Sequence, residues 1–406
     1  MGWRGVVLFL VSAVLVRSMD AGAGVGLVLL CTDRVAHQPV RVAGMLAAAL
    51  TALHVTGPLS APLLGRARDR RWVVSAAGVL ASAGVAVGTP VVGSWPLAAA
   101  LVPWALAGAG GPMLTGGLSS LLPTASGDCG ESGDARRARA LDALTYGASA
   151  TIAPALVALL ATTWSSGAAL LALAASGLAG SLGVLALPRV AAASSVQGRV
   201  TARDVARHLW REPGPRRVVA LTWVGALTVS AALLTGTALA RGQGSAEAGW
   251  VVSAFGLGGV AGGLCLAVRP LRVQLDTGMV LATGALGTVL AGCAVVGADP
   301  RLLAAGFGAL GGVLAVHTLL SLSARGELSP PHLAGAVFVT VGGAKVAFSS
   351  AGTALAGFAA AWGGQRVLAV LGAVTVLSAL GTAPGVRRRA ELSRTARPAG
   401  VGRAPR

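Results

Sequence analysis

Five Arg, Lys, Asp and His side chains of this 406-residue chain stand well inside long apolar stretches, away from their ends: Arg17, Asp20, His54, His317 and Lys345. A charge in such surroundings is costly and usually faces a cavity or a partner, so these residues are the first candidates for chemistry. Asp20 is the only carboxylate well inside a stretch, with Arg17 three residues earlier on the same helical face. The pair admits two readings: Asp20 as a proton carrier tuned by Arg17, or a local ion pair that neutralises two charges. Lys345 stands about 11 residues into its stretch, ~16 Å from one end by helical rise. It suits a cavity cation that attracts an anion, or a partner for Asp20. His54 and His317 admit either proton relay or hydrogen bonding between helices. Trp104, Tyr146 and Trp223 could line a cavity or pack, and Trp250, near a stretch end, suits an interface anchor.

Other chemistry finds little support. The chain has no P-loop, HExxH or GxSxG. Gly306-Phe-Gly308-Ala-Leu-Gly311 matches the dinucleotide fingerprint, but no strand precedes it. Small residues that let helices approach closely explain it, as they explain Gly256, Gly258, Gly259, Gly262 and Gly263. The four cysteines (Cys31, Cys129, Cys265, Cys293) are far apart and match neither a disulfide framework nor a zinc site. Asp128, Glu131 and Asp134 cluster in a Gly/Ser-rich segment without metal-ligand spacing. No cofactor or metal is expected, and the chain does not read as an enzyme.

The elements that must position these residues follow from composition. Apolar residues make up 54%, charged residues 11%, and mean hydropathy is +0.75. A soluble domain carries about a quarter charged residues. The apolar stretches cover roughly 4–30, 42–64, 73–92, 96–122, 139–162, 166–187, 217–240, 247–268, 278–297, 300–322, 334–360 and 366–384. Each suits a bilayer of about 30 Å. Of the 32 Lys and Arg, 25 fall in alternate gaps and five in the gaps between. That alternation predicts twelve transmembrane helices with both termini and the central interval cytoplasmic. It also accounts for the +18 charge better than nucleic acid would. At the N-terminus, Arg17 and Asp20 stand where a signal-peptide cleavage site would need small residues, so a retained helix is expected.

The expected organisation is a six-helix bundle over 1–190, a cytoplasmic loop over 191–216, a second bundle over 217–386, and a basic disordered tail over 387–406. Val205, His208 and Leu209 recur at helical spacing, which suits an amphipathic surface helix from Thr201 to Trp210. The fourth and tenth stretches, from Gly108 and from Gly308, are both glycine-rich and then Leu/Ser-rich, as a weak repeat of the halves would give.

Six plus six spans, both ends inside, and a short arginine-rich loop after the second span resemble the major facilitator superfamily. The likeness covers about residues 4–386. The family's loop motif is incomplete: Gly65, Asp69 and Arg70 match in one register, Arg66 in another, and the trailing Gly and basic pair are missing. In the first register the resemblance implies a cytoplasmic gate with Asp69 as the gating acid. A plain basic loop is the alternative. Gly147 and Pro154 loosely resemble the glycine–proline motif of the family's exporters, although Ala153 replaces the second glycine.

The resemblance implies a secondary active transporter working by alternating access in the plasma membrane. Proton-coupled efflux of a hydrophobic or amphiphilic small molecule by a monomer fits best, with protons and the lipid bilayer as the other partners. Uptake of a small polar nutrient is the alternative, although Asn is absent and Gln lies only near span ends or in loops. A membrane-embedded enzyme and a non-transporting scaffold or sensor with the same fold are the other classes.

Overall fold

The computed structural model describes residues 3–122, 133–188, 200–241, 245–269, 271, 273–297 and 299–395. The described residues are helical throughout, without strands. In order the helices are α1 (Trp3–Arg34), α2 (Pro39–Ala52), α3 (Gly57–Arg66), α4 (Arg70–Val91), α5 (Leu97–Ala109), α6 (Gly133–Thr163) and α7 (Ser166–Leu185). The surface helix α8 (Ala202–Arg211) follows. Then come α9 (Pro213–Arg241), α10 (Ser245–Val268), α11 (Leu275–Val296), α12 (Pro300–Glu327), α13 (Pro331–Ala359) and α14 (Gly364–Thr395). Twelve spans among the described residues are long and apolar enough to cross a membrane. A lipid interior leaves every backbone group to be satisfied within the protein, which selects helices.

Proline interrupts two of the spans. Pro58 has no N–H for the carbonyl of His54, four residues back. Gly57 N–H bonds that carbonyl instead, tightening Leu53–Thr56 into a 3₁₀ turn that joins α2 to α3. In the fourth span Pro112 is followed by a π-helical turn over Met113–Gly117. Such widened turns concentrate at functional sites.

The spans pack as two six-helix bundles. In the first, α1 lies against α6 and α7, and α4 against α5 and α7. In the second, α9 lies against α13 and α14, α10 against α12, and α11 against α14. Spans one and five of one bundle thus correspond to spans seven and eleven of the other. Each pairing carries a matching bond: Ser149 Oγ donates to the carbonyl of Val14 at 3.3 Å, and Ser349 Oγ to that of Ala226 at 3.4 Å. The dinucleotide-like stretch is a helix crossing, since a Cβ on Gly258 would overlap the carbonyl of Gly308, and one on Gly311 that of Phe255.

The central interval forms its amphipathic helix as expected. Thr201 caps α8: its hydroxyl accepts from Asp204 N–H at 3.2 Å, and Asp204 accepts from Thr201 N–H at 3.0 Å. The Thr201 hydroxyl also donates to Asp204 at 2.7 Å, and together these bonds hold that carboxylate below its usual range. Val205 and Leu209 are buried, and α8 packs on α3, α9 and α13 rather than facing lipid. The last helix also differs from expectation, since α14 runs to Thr395, into the stretch read as a disordered tail. Asp128, Cys129 and Glu131 lie outside the described residues, as do the Asp134 side chain, 189–199 of the central interval and the tail beyond Thr395.

His208, on the inner side of α8, is held below its ordinary 6.5 by burial and then by His332. Glu212 and the carbonyl of Leu328 act in the opposite direction. The docked helix therefore favours neutral imidazole. Its contribution to docking is complete above the unfolded value and is lost as pH falls below it. Hydrogen exchange of α8 amides, corrected for intrinsic rate, is expected to accelerate from neutrality to about pH 5 in the native protein and not in His208→Gln.

Candidate functional site

The centre of the first bundle is an ion pair. Arg17 Nη1 on α1 donates to Asp142 Oδ1 on α6 at 2.7 Å, and both side chains are at most 5% exposed. The same nitrogen reaches the Asp142 carbonyl at 3.1 Å and the Thr145 hydroxyl, while Nη2 donates to Ser119 Oγ at 2.9 Å. The guanidinium carbon lies 3.6 Å from the centroid of Tyr146, whose hydroxyl donates to the carbonyl of Thr115 at 2.9 Å. The local pairing of Arg17 with Asp20 read from their spacing is corrected here: the guanidinium pairs with Asp142. Asp142 lies near the start of the fifth span and is completely buried.

Beside this network is a cavity of about 230 Å³ between the two bundles. From α1 it is lined by Arg17, Asp20 and Ala21, from the fourth span by Thr115, and from α6 by Tyr146, Ser149 and Ala150. From α12 come Thr318, Leu322 and Arg325, and from α13 Gly342, Lys345, Val346, Ser349 and Ser350. Lys345 Nζ lies 5.4 Å from the Tyr146 centroid, so a lysine of one bundle and an arginine of the other share one ring. Asp20 forms no ion pair among the described residues.

One end of the cavity is sealed. Met113–Leu122 of the fourth span, His317–Arg325 of α12 and Leu333–Gly343 of α13 are buried continuously. Continuous burial means each helix is surrounded on all sides there, whereas beyond Gly343 most residues of α13 are half-buried or exposed. This is the end that carries α8 and the Arg66–Arg71 loop. Glycine makes the closure possible: a Cβ on Gly116 would overlap the carbonyl of Phe338, and one on Gly343 the carbonyl of His54. Behind it, Arg139 of the first bundle and Arg325 of the second flank the ring of Phe338 at 5.3 and 5.9 Å.

Of the aromatic and ionisable candidates, Arg17, Asp20, Tyr146 and Lys345 stand in the wall; the others pack elsewhere. Trp104 is wholly buried in the first bundle against Gly88. Trp223 stacks on Phe348 at 5.1 Å and meets Trp210 edge-on at 6.2 Å. His317 is buried against Gly225. His54, in the 3₁₀ turn, is buried against Gly111 with neither ring nitrogen bonded. Gly147 lies at the α6–α10 crossing opposite Gly259, and Pro154 is inside α6.

The loop residues divide in the same way. Asp69 caps α4 by accepting from Arg71 N–H at 3.1 Å, and pairs with the Arg71 guanidinium at 2.6 Å. Arg71 in turn donates to the carbonyls of Leu185 and Leu187, satisfying the end of α7. Arg70 approaches α13 near Gly335, across the bundle boundary, while Arg66 is exposed and Gly65 lies in the last turn of α3. Arg325 and the hydroxyls of Thr115, Ser149, Thr318, Ser349 and Ser350 were not singled out from the sequence. Arg325 ends an apolar stretch and reads there as a loop cation.

No family model and no curated protein matches the sequence. Solved structures do. The human organic anion transporter MFSD10 (TETRAN) superposes with a TM-score of 0.73 at 16% identity, over 93% of this chain and 99% of that one. The E. coli fucose:proton symporter FucP gives 0.70 at 13% identity, over 93% and 98%. The chain has the major facilitator fold. The major facilitator proton:xylose symporter XylE, bound to 6-bromo-6-deoxy-D-glucose, gives 0.65 at 12% identity, over 93% and 94%.

Two outcomes are expected of the site's framework. Asp142→Ala strands a buried guanidinium, a loss of about 3–5 kcal/mol by the precedent of broken buried pairs. Its melting temperature in detergent should fall well below that of Asp20→Asn, whose side chain has no ion partner to lose. Gly116→Leu should hold the sealed end apart. In a cysteine-free background, a thiol introduced at Ser323 should then label several-fold faster from the α8 side.

Proposed function

We propose that this chain is a secondary active transporter that carries a small amphiphilic molecule across the plasma membrane, drawing on the proton gradient. The observation that carries the reading is the cavity. It is lined by both bundles, holds several ionisable groups, and is sealed at one end by contacts that a rocking motion would break. Alternating access needs that combination in a two-bundle carrier. The solved structures that share the fold include an organic anion transporter and two sugar–proton symporters, in keeping with transport.

The bias of basic residues in the loops supports a cytoplasmic sealed end with both termini on that side, which would make this an outward-facing conformation. Asp20, in the wall and with no ion partner among the described residues, is the proposed proton carrier. Arg70 and Asp69 are proposed to brace the cytoplasmic closure, Arg70 across the bundles and Asp69 by fixing the start of α4. Gly147 and Pro154 support export. The hydroxyl-rich wall supports a second reading, uptake of a polar molecule, with Ser and Thr hydroxyls in place of the missing Asn. The carrier is proposed to act as a monomer without cofactor.

The test is flux into proteoliposomes of rhodamine 6G, fluorescein and xylose under an imposed pH gradient. At least one probe should accumulate above empty vesicles, and Asp20→Asn should abolish the gradient-driven part while sparing exchange at equal pH. Unchanged gradient-driven accumulation in Asp20→Asn removes that residue as carrier; absence of flux for every probe removes the transport reading.

A further inference from the structure

The charges around the cavity do not balance. Its wall holds three cations, Arg17, Arg325 and Lys345, and one carboxylate, Asp20. Arg17 is matched by Asp142. Arg325 is 5% exposed, is bonded through Nη2 to Ser321 Oγ at 2.9 Å, and leaves its Nε without a partner. Among the described residues, neither Arg325 nor Lys345 has a carboxylate within ion-pair distance. A buried cation without a counterion, such as Arg325, is strongly disfavoured, and core packing alone would select against it; Lys345 stands half-buried in the same wall.

Resting on the transport reading above, we infer that the cargo is an organic anion whose acidic head sits between Lys345 and Arg325. The remaining wall suits such a molecule. Ala21, Ala150, Leu322 and Val346 offer apolar surface for its body, and the hydroxyl-bearing Thr318, Ser349 and Ser350 belong to the same wall. Tyr146 restrains Lys345 through its ring, as it restrains Arg17, which leaves the ammonium aimed at the cavity and not at a protein carboxylate. Arginine offers a planar fork and lysine a point charge, so a carboxylate or sulfonate can be gripped from two bundle-two helices at once. A cationic cargo finds no comparable site, because Asp20 is the one carboxylate in this wall and stands against two cations, Lys345 and Arg325, that have no ion partner among the described residues.

The test uses three probes with one apolar body and different heads: naphthalene-2-sulfonate, 2-naphthol and 2-naphthylmethylammonium. Affinity is read from thermal stabilisation of the purified full-length chain. The sulfonate should bind at least about tenfold more tightly than the other two, a charge-assisted contact's worth of preference. In Lys345→Gln and Arg325→Gln that preference should shrink to about threefold or less, while Lys345→Arg retains it. Equal stabilisation by the three probes, tighter binding of the ammonium, absence of binding by all, or undiminished preference in both glutamine variants would each overturn the inference. Because the first comparison is made on the native chain, misfolding of a variant does not protect it. Sulfonate binding without flux in vesicles would defeat the transport reading and leave the anion site standing; flux of the ammonium alone would do the reverse.

Discussion

A guanidinium locked to a carboxylate inside the first bundle determines how the rest of the cavity is arranged. Arg17 and Asp142 join α1 to α6 at 2.7 Å. Their bond fixes Tyr146, because the guanidinium carbon sits over that ring at 3.6 Å from its centroid while Ser119, bonded to Arg17, lies 3.2 Å from the tyrosine hydroxyl. A fully desolvated ion pair contributes little net stability against an apolar replacement of the same shape. What it supplies is position. With Arg17 neutralised from behind, the positive groups left for the cavity are those of the second bundle, and the ring they approach is held in one place.

The closure beside that network depends on the absence of side chains more than on their presence. Gly116 and Gly342 face one another across the bundle boundary, with a Cβ at Gly342 meeting Gly116 N at 3.0 Å, and Gly57 approaches the carbonyl of Val339 in the same way. Backbone-to-backbone contact of this kind is a familiar solution where lipid supplies no hydrophobic drive between helices. It also suits an interface that opens and closes, because small residues separate without unthreading long side chains. The π turn after Pro112 belongs to the same device: it carries Thr115 into the cavity wall and Gly116 into the contact.

The architecture was legible in the sequence because it is a matter of local composition. Each span is a run of apolar residues, each break in a span is announced by a proline, and α8 shows its capping box in Thr201 and Asp204. The site was legible only where an ionisable residue stood deep in a span, as Lys345 and Asp20 do. Arg17 could be found but its partner could not, since the spacing to Asp20 is local whereas Asp142 is brought in by packing of α1 on α6. Arg139, Asp142 and Arg325 stand near span ends and read as loop charges, yet the closure buries all three. Trp104 and His317 look like cavity residues by type, and Gly88 and Gly225 on neighbouring helices decide that they pack instead. Burial at a bundle boundary is a property of two distant segments, and no single segment carries its signal.

The charge of the cargo bears on the direction of coupling. Asp20 stands in the same wall as Lys345 and Arg325, so an ionised Asp20 opposes an anion placed there. Unit charges roughly 6 Å apart repel by about 3 kcal/mol at an effective dielectric constant of about 20. A proton on Asp20 removes that term. Proton and anion then bind better together than apart, which by linkage makes each raise the affinity for the other. Such a carrier moves both in one direction. A cationic or neutral cargo would lack this reinforcement, and a cation would compete with the proton, which is the coupling an exchanger needs. Import with protons therefore follows from an anionic cargo, and export against protons from a cationic one, so the sign of the charge held by Lys345 and Arg325 decides between the two directions of transport.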